Sequence, residues 1–145
     1  MPAMAADWTS ALNRARDHAP FLARALERRP DLARMLAEGA GEEALLAAKQ
    51  VAEADVATAL RRERLGLALV LAVSDLAGAF DLEKVMRELS TFADRALHAA
   101  LAAAIRKRVP DAEPAGMIGL ALGKHGAGEL NYSSDIDPIL LYEPE

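Results

Sequence analysis

The segment from Leu82 to Arg108 constrains the fold most strongly, because its apolar residues recur with the period of an α-helix. They follow one another at intervals of one and three positions and form one continuous face: Leu82, Val85, Met86, Leu89, Phe92, Ala93, Ala96, Leu97, Ala100, Leu101, Ala104 and Ile105. Asp81 can cap the start of this helix, and the basic residues 106–108 suit the negative end of a helix dipole. The pattern predicts one long amphipathic helix over 82–108.

The residues before this segment also carry helical signals. Short helices are predicted near 7–18, 20–28 and 30–38, since proline stands where the second and third would begin and is tolerated in a first helical turn. A longer helical pattern runs over 42–77, with a break expected near its middle. Gly39 and Gly78 follow the third short helix and the longer pattern as C-terminal stops.

Composition excludes several classes of protein. The chain has 145 residues, of which 52% are hydrophobic and only 4% aromatic, as in one domain built from closely packed helices. It has no cysteine, which excludes disulfides, thiolate zinc sites and cysteine nucleophiles. A net charge of −5 argues against binding to nucleic acid or to an anionic membrane. We find no targeting segment, and the longest apolar run, Leu65–Val73, is too short to span a membrane, so we expect a cytoplasmic protein.

The pattern changes after Pro110. Two short apolar runs, 116–122 and 136–142, are bounded by turn residues and are predicted to be buried strands. The intervening residues, 123–134, are too polar and glycine-rich for a long regular element. The chain is therefore predicted to be an α+β protein, with a helical region over 1–109 and a second domain that begins over 110–145.

The two acids of Asp135-Ile136-Asp137 are the best candidates for chemistry. If they open the last strand, their side chains share one face, with Cα atoms about 6.6 Å apart, and Ile136 points into the core. Two neighbouring carboxylates suit Mg²⁺ or Mn²⁺, while the hydroxyls of Ser133 and Ser134 and the backbone of the glycine-rich turn suit phosphate. This combination indicates metal-assisted phosphoryl or nucleotidyl transfer. By itself, a lone D-x-D pattern is more often a turn or a solvated strand end than a metal site. The preceding apolar strand, the glycine turn and the two serines favour the metal site here.

Residues 123–137, GKHGAGELNYSSDID, resemble the signature G-K-L-G-G-R-E-L-N-[FY]-S-S-D-I-D of the bacterial bifunctional glutamine synthetase adenylyltransferase/adenylyl-removing enzymes. Residues 60–64, 75–78 and 89–94 are also similar to the helical region that precedes this signature in that family. Residues 20–32 match its N-terminus more loosely. The resemblance therefore covers nearly the whole chain.

The resemblance implies a fold and an activity. The fold is a polymerase-beta-type nucleotidyltransferase domain, of which this chain holds the first two strands and is incomplete. The signature is similar to that of the first of the family's two catalytic halves, which removes AMP from glutamine synthetase. Orthophosphate would attack the AMP–tyrosine linkage and release ADP, whereas the second half, which has no counterpart here, attaches AMP from ATP.

The resemblance also implies roles for individual residues. Asp135 and Asp137 would be the catalytic metal ligands for Mg²⁺ or Mn²⁺. Four residues would bind the phosphate groups of the nucleotide: Gly123, Lys124, Ser133 and Ser134. The implied partner is glutamine synthetase, with a nitrogen-signalling regulatory protein as a further candidate.

The chain departs from the family pattern at three positions of the signature and at one position directly after it. His125 stands in place of leucine, Ala127 in place of glycine and Gly128 in place of arginine, while Pro138 replaces an apolar residue after the second acid. We expect His125 to be an exposed loop residue, with a phosphate contact as the less favoured alternative. Proline cannot donate a backbone hydrogen bond to a sheet. Pro138 therefore alters the strand pairing directly after Asp137, and with it the direction in which the Asp137 carboxylate points.

The chain ends directly after the second predicted strand, before the third carboxylate that the resemblance requires. We therefore expect a piece of a larger enzyme that is inactive alone. The alternative is a non-catalytic helical module, formed by residues 1–109, or a remnant that docks glutamine synthetase.

Overall fold

A computed structural model describes residues 5–113 and 115–142, which form seven helices and one two-stranded sheet. The elements in chain order are α1 (Trp8–His18), α2 (Pro20–Arg28), α3 (Pro30–Ala37), α4 (Gly41–Lys49), α5 (Val56–Leu76), α6 (Leu82–Arg108), β1 (Met117–Ala121), α7 (Gly123–Gly126) and β2 (Pro138–Tyr142). The α+β class predicted from the sequence is confirmed. The nucleotidyltransferase assignment of the sheet stays a prediction.

The helix boundaries follow the local signals of the sequence. Proline is the first residue of α2 and of α3, and the Asp7 side chain accepts a hydrogen bond from Ser10 N at the start of α1. Gly39 and Gly78 adopt positive φ angles of 78° and 75° just after α3 and α5, where a side chain would be strained. The predicted break in the long helical pattern is confirmed, since α4 and α5 are separate helices.

Two compact units divide the chain. Of the described residues, those up to Ala54 and Thr58–Val85 form the first, and Asp55–Ala57 with those from Met86 onward form the second. The boundary thus falls inside α6, because most of this helix belongs with the strands. A functional domain division at residue 109 stays a prediction.

The first unit is built around α5, which is buried on several sides. Its fully buried apolar side chains are Leu67, Leu69, Val70, Leu71 and Val73. Two hydrogen bonds connect α1 to the C-terminal end of α5. Asp7 N, just before α1, donates to Ala77 O at 3.0 Å, and Arg14 Nη2, on α1 itself, donates to Leu76 O at 2.8 Å. These donors satisfy carbonyl groups that a helix C-terminus leaves without intrahelical partners.

The second unit contains the sheet, the one-turn helix α7 and most of α6. β1 and β2 pair antiparallel, with Ile118 opposite Leu141 and Gly119 opposite Leu140. Gly119 faces α6, because a Cβ atom placed on it would lie 3.2 Å from Leu97 Cδ2 and 3.8 Å from Leu101 Cδ1. The sheet therefore packs on α6 through the face that carries Gly119, and side-chain alternation directs Ile118 and Leu141 away from that helix.

Two predictions about the strands are wrong. The strands are not buried: Ile118 is 62% exposed and Leu141 is 49% exposed, because a two-stranded ribbon with a helix on one face leaves its other face uncovered. The acids do not open the last strand, since β2 begins at Pro138 and residues 134–137 precede it without regular structure. Ile136 is 38% exposed and does not enter the core.

Across the described residues, we find no helix that combines the length and apolar character needed to cross a membrane.

Candidate active site

A cleft of about 390 Å³ lies at the junction of β1, α7 and the segment that leads into β2. Its lining comprises Leu122, Gly123, Lys124, Asn131, Ser133, Ser134, Asp135 and Asp137. All six site residues predicted from the sequence therefore line one cleft. The structure adds Leu122 and Asn131, which the sequence analysis did not single out.

Gly123 and Lys124 form one wall of the cleft, at the point where the backbone turns sharply after the end of β1. Gly126 N donates to Leu122 O at 3.2 Å and Ala127 N donates to Gly123 O at 3.0 Å, which closes the single turn of α7. Gly126 packs directly on the end of the strand, since a Cβ atom placed there would lie 2.5 Å from Ala121 O. The polypeptide thus reverses direction tightly enough to place Lys124 beside the cleft.

A second wall of the cleft, formed by Ser133 and Ser134, is ordered by Asn131. Its Oδ1 accepts a hydrogen bond from Ser133 N at 3.0 Å, and its backbone N donates to Ser134 Oγ at 3.0 Å. Ser134 N also donates to Asn131 O at 3.2 Å. A hydroxyl that accepts one hydrogen bond can still donate its own proton, so Ser134 can donate to an anionic oxygen.

Asp135 and Asp137 both line the cleft and are exposed to solvent. They share it without being residues of a strand, because a backbone without regular structure can direct alternate residues to the same side. Within the described part of the chain, no cluster of three or more acidic, histidine or cysteine side chains could hold a metal ion. Two carboxylates fit Mg²⁺, which proteins usually hold through one or two carboxylates together with water and phosphate oxygens.

His125 corrects another prediction, because it is not an exposed loop residue. It is 5% exposed, and its Nε2 lies 2.8 Å from Asp94 Oδ1 on α6. A second link to α6 follows a few residues later, where Leu130 N donates to Ser90 Oγ at 3.3 Å. Ser90 and Asp94 are one helical turn apart, so one face of α6 holds both ends of the segment 125–130.

Three comparisons with known proteins bear on the identity of this site. The family model for glutamate-ammonia ligase adenylyltransferase matches residues 9–145. The chain is 46% identical over 146 aligned positions to a bifunctional glutamine synthetase adenylyltransferase/adenylyl-removing enzyme of Caulobacter vibrioides, and the match covers 87% of this chain. No solved structure matches the chain.

Other relatives carry the same name. The enzyme of Xanthobacter autotrophicus is 44% identical over 79% of this chain, and that of Bradyrhizobium diazoefficiens is 41% identical over 86% of it. The matches span only 15%, 12% and 13% of the lengths of the three relatives. Since the family model covers nearly all of the sequence, the chain belongs to the glutamate-ammonia ligase adenylyltransferase family.

Proposed function

We propose that this chain contributes the start of a metal-dependent nucleotidyltransferase site that removes AMP from a tyrosine of glutamine synthetase. The observation that carries the proposal is the cleft in which Asp135 and Asp137 share a surface with Gly123, Lys124 and Ser134. The names of the relatives supply the reaction class and the protein substrate. In the complete enzymes of this family, a second half would add AMP from ATP.

The proposed reaction transfers an adenylyl group from tyrosine to orthophosphate. An oxygen of orthophosphate forms a bond to the phosphorus of AMP, the bond from phosphorus to the tyrosine oxygen breaks, and the tyrosine recovers a proton as ADP is released. Both the attacking group and the linkage are anionic, so the site must offset their repulsion.

Different residues of the cleft would offset this repulsion in different ways. Asp135 and Asp137 would hold Mg²⁺ or Mn²⁺, which neutralises charge on phosphoryl oxygens when bound. Lys124 supplies a positive charge, and the hydroxyls of Ser133 and Ser134 supply neutral hydrogen-bond donors for phosphate oxygens. The close turn at Gly123 leaves room for phosphate to approach the backbone.

We propose further that the chain alone binds metal and nucleotide without completing turnover. Among the described residues, Asp135 and Asp137 are the only acidic side chains that line the cleft. The resemblance to polymerase-beta-type enzymes calls for a third carboxylate. Binding is therefore the appropriate test for the isolated chain.

The test is a titration of the full chain with Mn²⁺, followed through paramagnetic broadening of backbone amide signals, and then with ADP in the presence of Mg²⁺. We expect broadening confined to the neighbourhood of residues 123–137, and its loss in the double variant Asp135→Asn, Asp137→Asn. Asp111→Asn is the matched control, because Asp111 is an exposed aspartate that does not line the cleft. Unchanged spectra at millimolar metal would contradict the proposal.

A second candidate function is a docking module for glutamine synthetase in which the helices act without the cleft. It is favoured by the first compact unit, whose helices enclose a core of their own. This candidate predicts that binding to glutamine synthetase survives the double asparagine substitution. Loss of that binding, with the fold retained, would exclude a docking function independent of the acids.

A further inference from the structure

The hydrogen bond between His125 and Asp94 joins the candidate site to a helix that does not itself line the cleft. The His125 side chain is 1% exposed, whereas the Asp94 side chain is 70% exposed. His125 belongs to α7 and immediately follows Lys124, which does line the cleft. A displacement of the His125 ring would therefore move the wall of the cleft with it.

We propose that His125 is a positioning residue, which uses its bond to Asp94 to hold Gly123 and Lys124 in place for a phosphate-bearing ligand. The inference rests on the proposed function, since it assumes that this cleft binds such a ligand. It assigns a role to a position at which the resembling signature has leucine. Leucine could fill the buried space, but it could not make a directional bond to a carboxylate.

The surrounding contacts show why this bond matters for the position of α7. At its start, α7 is connected to β1 through a single residue, Leu122, and the helix has only one turn. A single turn fixes few hydrogen bonds for the backbone freedom it removes, so it needs tertiary contacts to remain in one place. Asp94 provides such a contact near the Lys124 end of the segment, and Ser90 provides another at Leu130.

The two links act on two different walls of the cleft. Leu130 precedes Asn131, whose hydrogen bonds order Ser133 and Ser134, while His125 follows Gly123 and Lys124. The bond from His125 therefore fixes the wall of Gly123 and Lys124, and the bond to Ser90 fixes the wall of the serines. Removal of the His125 bond should disturb the first wall and leave the second unchanged.

The experiment compares His125→Leu and His125→Gln for their affinity for ADP in the presence of Mg²⁺. Glutamine can direct an N–H to the Asp94 carboxylate, whereas leucine retains burial only. We expect about a tenfold loss of affinity for the leucine variant and recovery to within about threefold for the glutamine variant. His98→Leu, at an exposed histidine of α6, is the matched control and should bind like the unsubstituted chain.

A second variant, Asp94→Ala, tests the same bond in case His125→Leu does not fold. Asp94→Ala changes an exposed side chain, so it should fold, and it should weaken ADP binding as the leucine variant does. Amide signals from Gly123 and Lys124 should shift in both variants, while those of Ser133 and Ser134 stay in place. A purely structural role for His125 would lower the unfolding midpoint without this selective effect on binding.

The outcomes separate the two proposals. If the leucine or Asp94→Ala variant binds ADP as tightly as the unsubstituted chain, or if glutamine fails to rescue, the positioning role is overturned and the proposed function stands. If the unsubstituted chain does not bind ADP with Mg²⁺, the proposed function is contradicted and the positioning role falls with it.

Discussion

Gly66 on α5 lies directly against the guanidinium group of Arg29, so closely that a Cβ atom at Gly66 would stand 2.9 Å from Arg29 Nη1. The same atom would lie 3.1 Å from Ala48 Cβ. Arg29 is 7% exposed, which is unusual for arginine, and its side chain is anchored by Asp31. The absence of a side chain at Gly66 thus makes room for a buried cation beside a central helix.

We predict that Gly66→Ala lowers the free energy of unfolding by about 1 kcal/mol, within a range of about 0–2 kcal/mol. Alanine would improve helix propensity by about 1 kcal/mol, but overpacking a well-filled interior typically costs about 1–3 kcal/mol, and Ala48 has no flexible side chain that could move away. Urea unfolding followed by circular dichroism measures the difference. Arg64→Ala on the exposed surface of α5 is the control and should stay within about 0.5 kcal/mol. A more stable Gly66→Ala variant would show that Arg29 has other space to occupy.

The ion pair between Arg29 and Asp31 predicts a pH-dependent contribution to stability. Hydrogen bonds from Arg29 hold the pKa of Asp31 below its ordinary value, with the positive charge acting in the same direction and partial burial opposing both. Arg29 Nη2 donates to Asp31 Oδ2 at 2.8 Å and Nε donates to Oδ1 at 3.0 Å. Because the folded-state pKa is depressed, the contribution is present above about pH 5 and is lost as the pH falls below about 4.

Asp31→Asn should therefore destabilise the chain at pH 7 and have a smaller effect near pH 3. The difference should be below about 1 kcal/mol, because the Asp31 side chain is 48% exposed and solvent screens the charge. Urea unfolding of both proteins at the two pH values provides the measurement. Asp17→Asn, at an exposed aspartate of α1, is the surface control and should change the free energy of unfolding by less than about 0.5 kcal/mol. An equal destabilisation at both pH values would mean that the Asp31 carboxylate is not held in its charged form by Arg29.

The close approach of Gly126 to Ala121 O leads to a third prediction, which concerns the cleft. Gly126→Ala would place a methyl group 2.5 Å from a backbone oxygen that no rotamer change can move. We expect α7 to shift away from the end of β1, with altered amide signals from Gly123 and Lys124 and a loss of about tenfold or more in affinity for ADP with Mg²⁺.

Ala127→Gly is the control for that substitution. It changes the adjacent residue and adds no atoms near Ala121 O, so the cleft should keep its affinity. Normal ADP binding by Gly126→Ala would show that the tight turn is not needed to place Lys124.

Local signals in the sequence predicted the helices well, because each depends on residues close together in the chain. Pro20, Pro30, Gly39 and Gly78 mark helix boundaries through their own backbone geometry. The six predicted site residues also line one cleft, since they flank a short turn and the approach to one strand. Their catalytic, metal-binding and phosphate-binding roles stay predictions.

The errors arose where burial depends on distant residues. Short apolar runs bounded by turn residues predict buried strands, but they do not reveal whether a second layer covers the outer face that carries Ile118 and Leu141. The polar, glycine-rich sequence around His125 carries no local sign of burial, although leucine in the resembling signature indicates an interior position. Its partner Asp94 lies 31 residues away, which is beyond the reach of local patterns.

The position of α6 has a mechanical consequence for the cleft. Ser90 and Asp94 hold the turn segment, and Leu97 and Leu101 lie beneath Gly119, so one uninterrupted helix supports both strand and loops. Because α6 is one continuous helix, the distances between its residues that contact the strand and its residues that contact the turn segment stay constant. A bend in α6 between Ser90 and Leu101 would therefore change the width of the cleft directly, and an insertion there would rotate one set of attachments relative to the other.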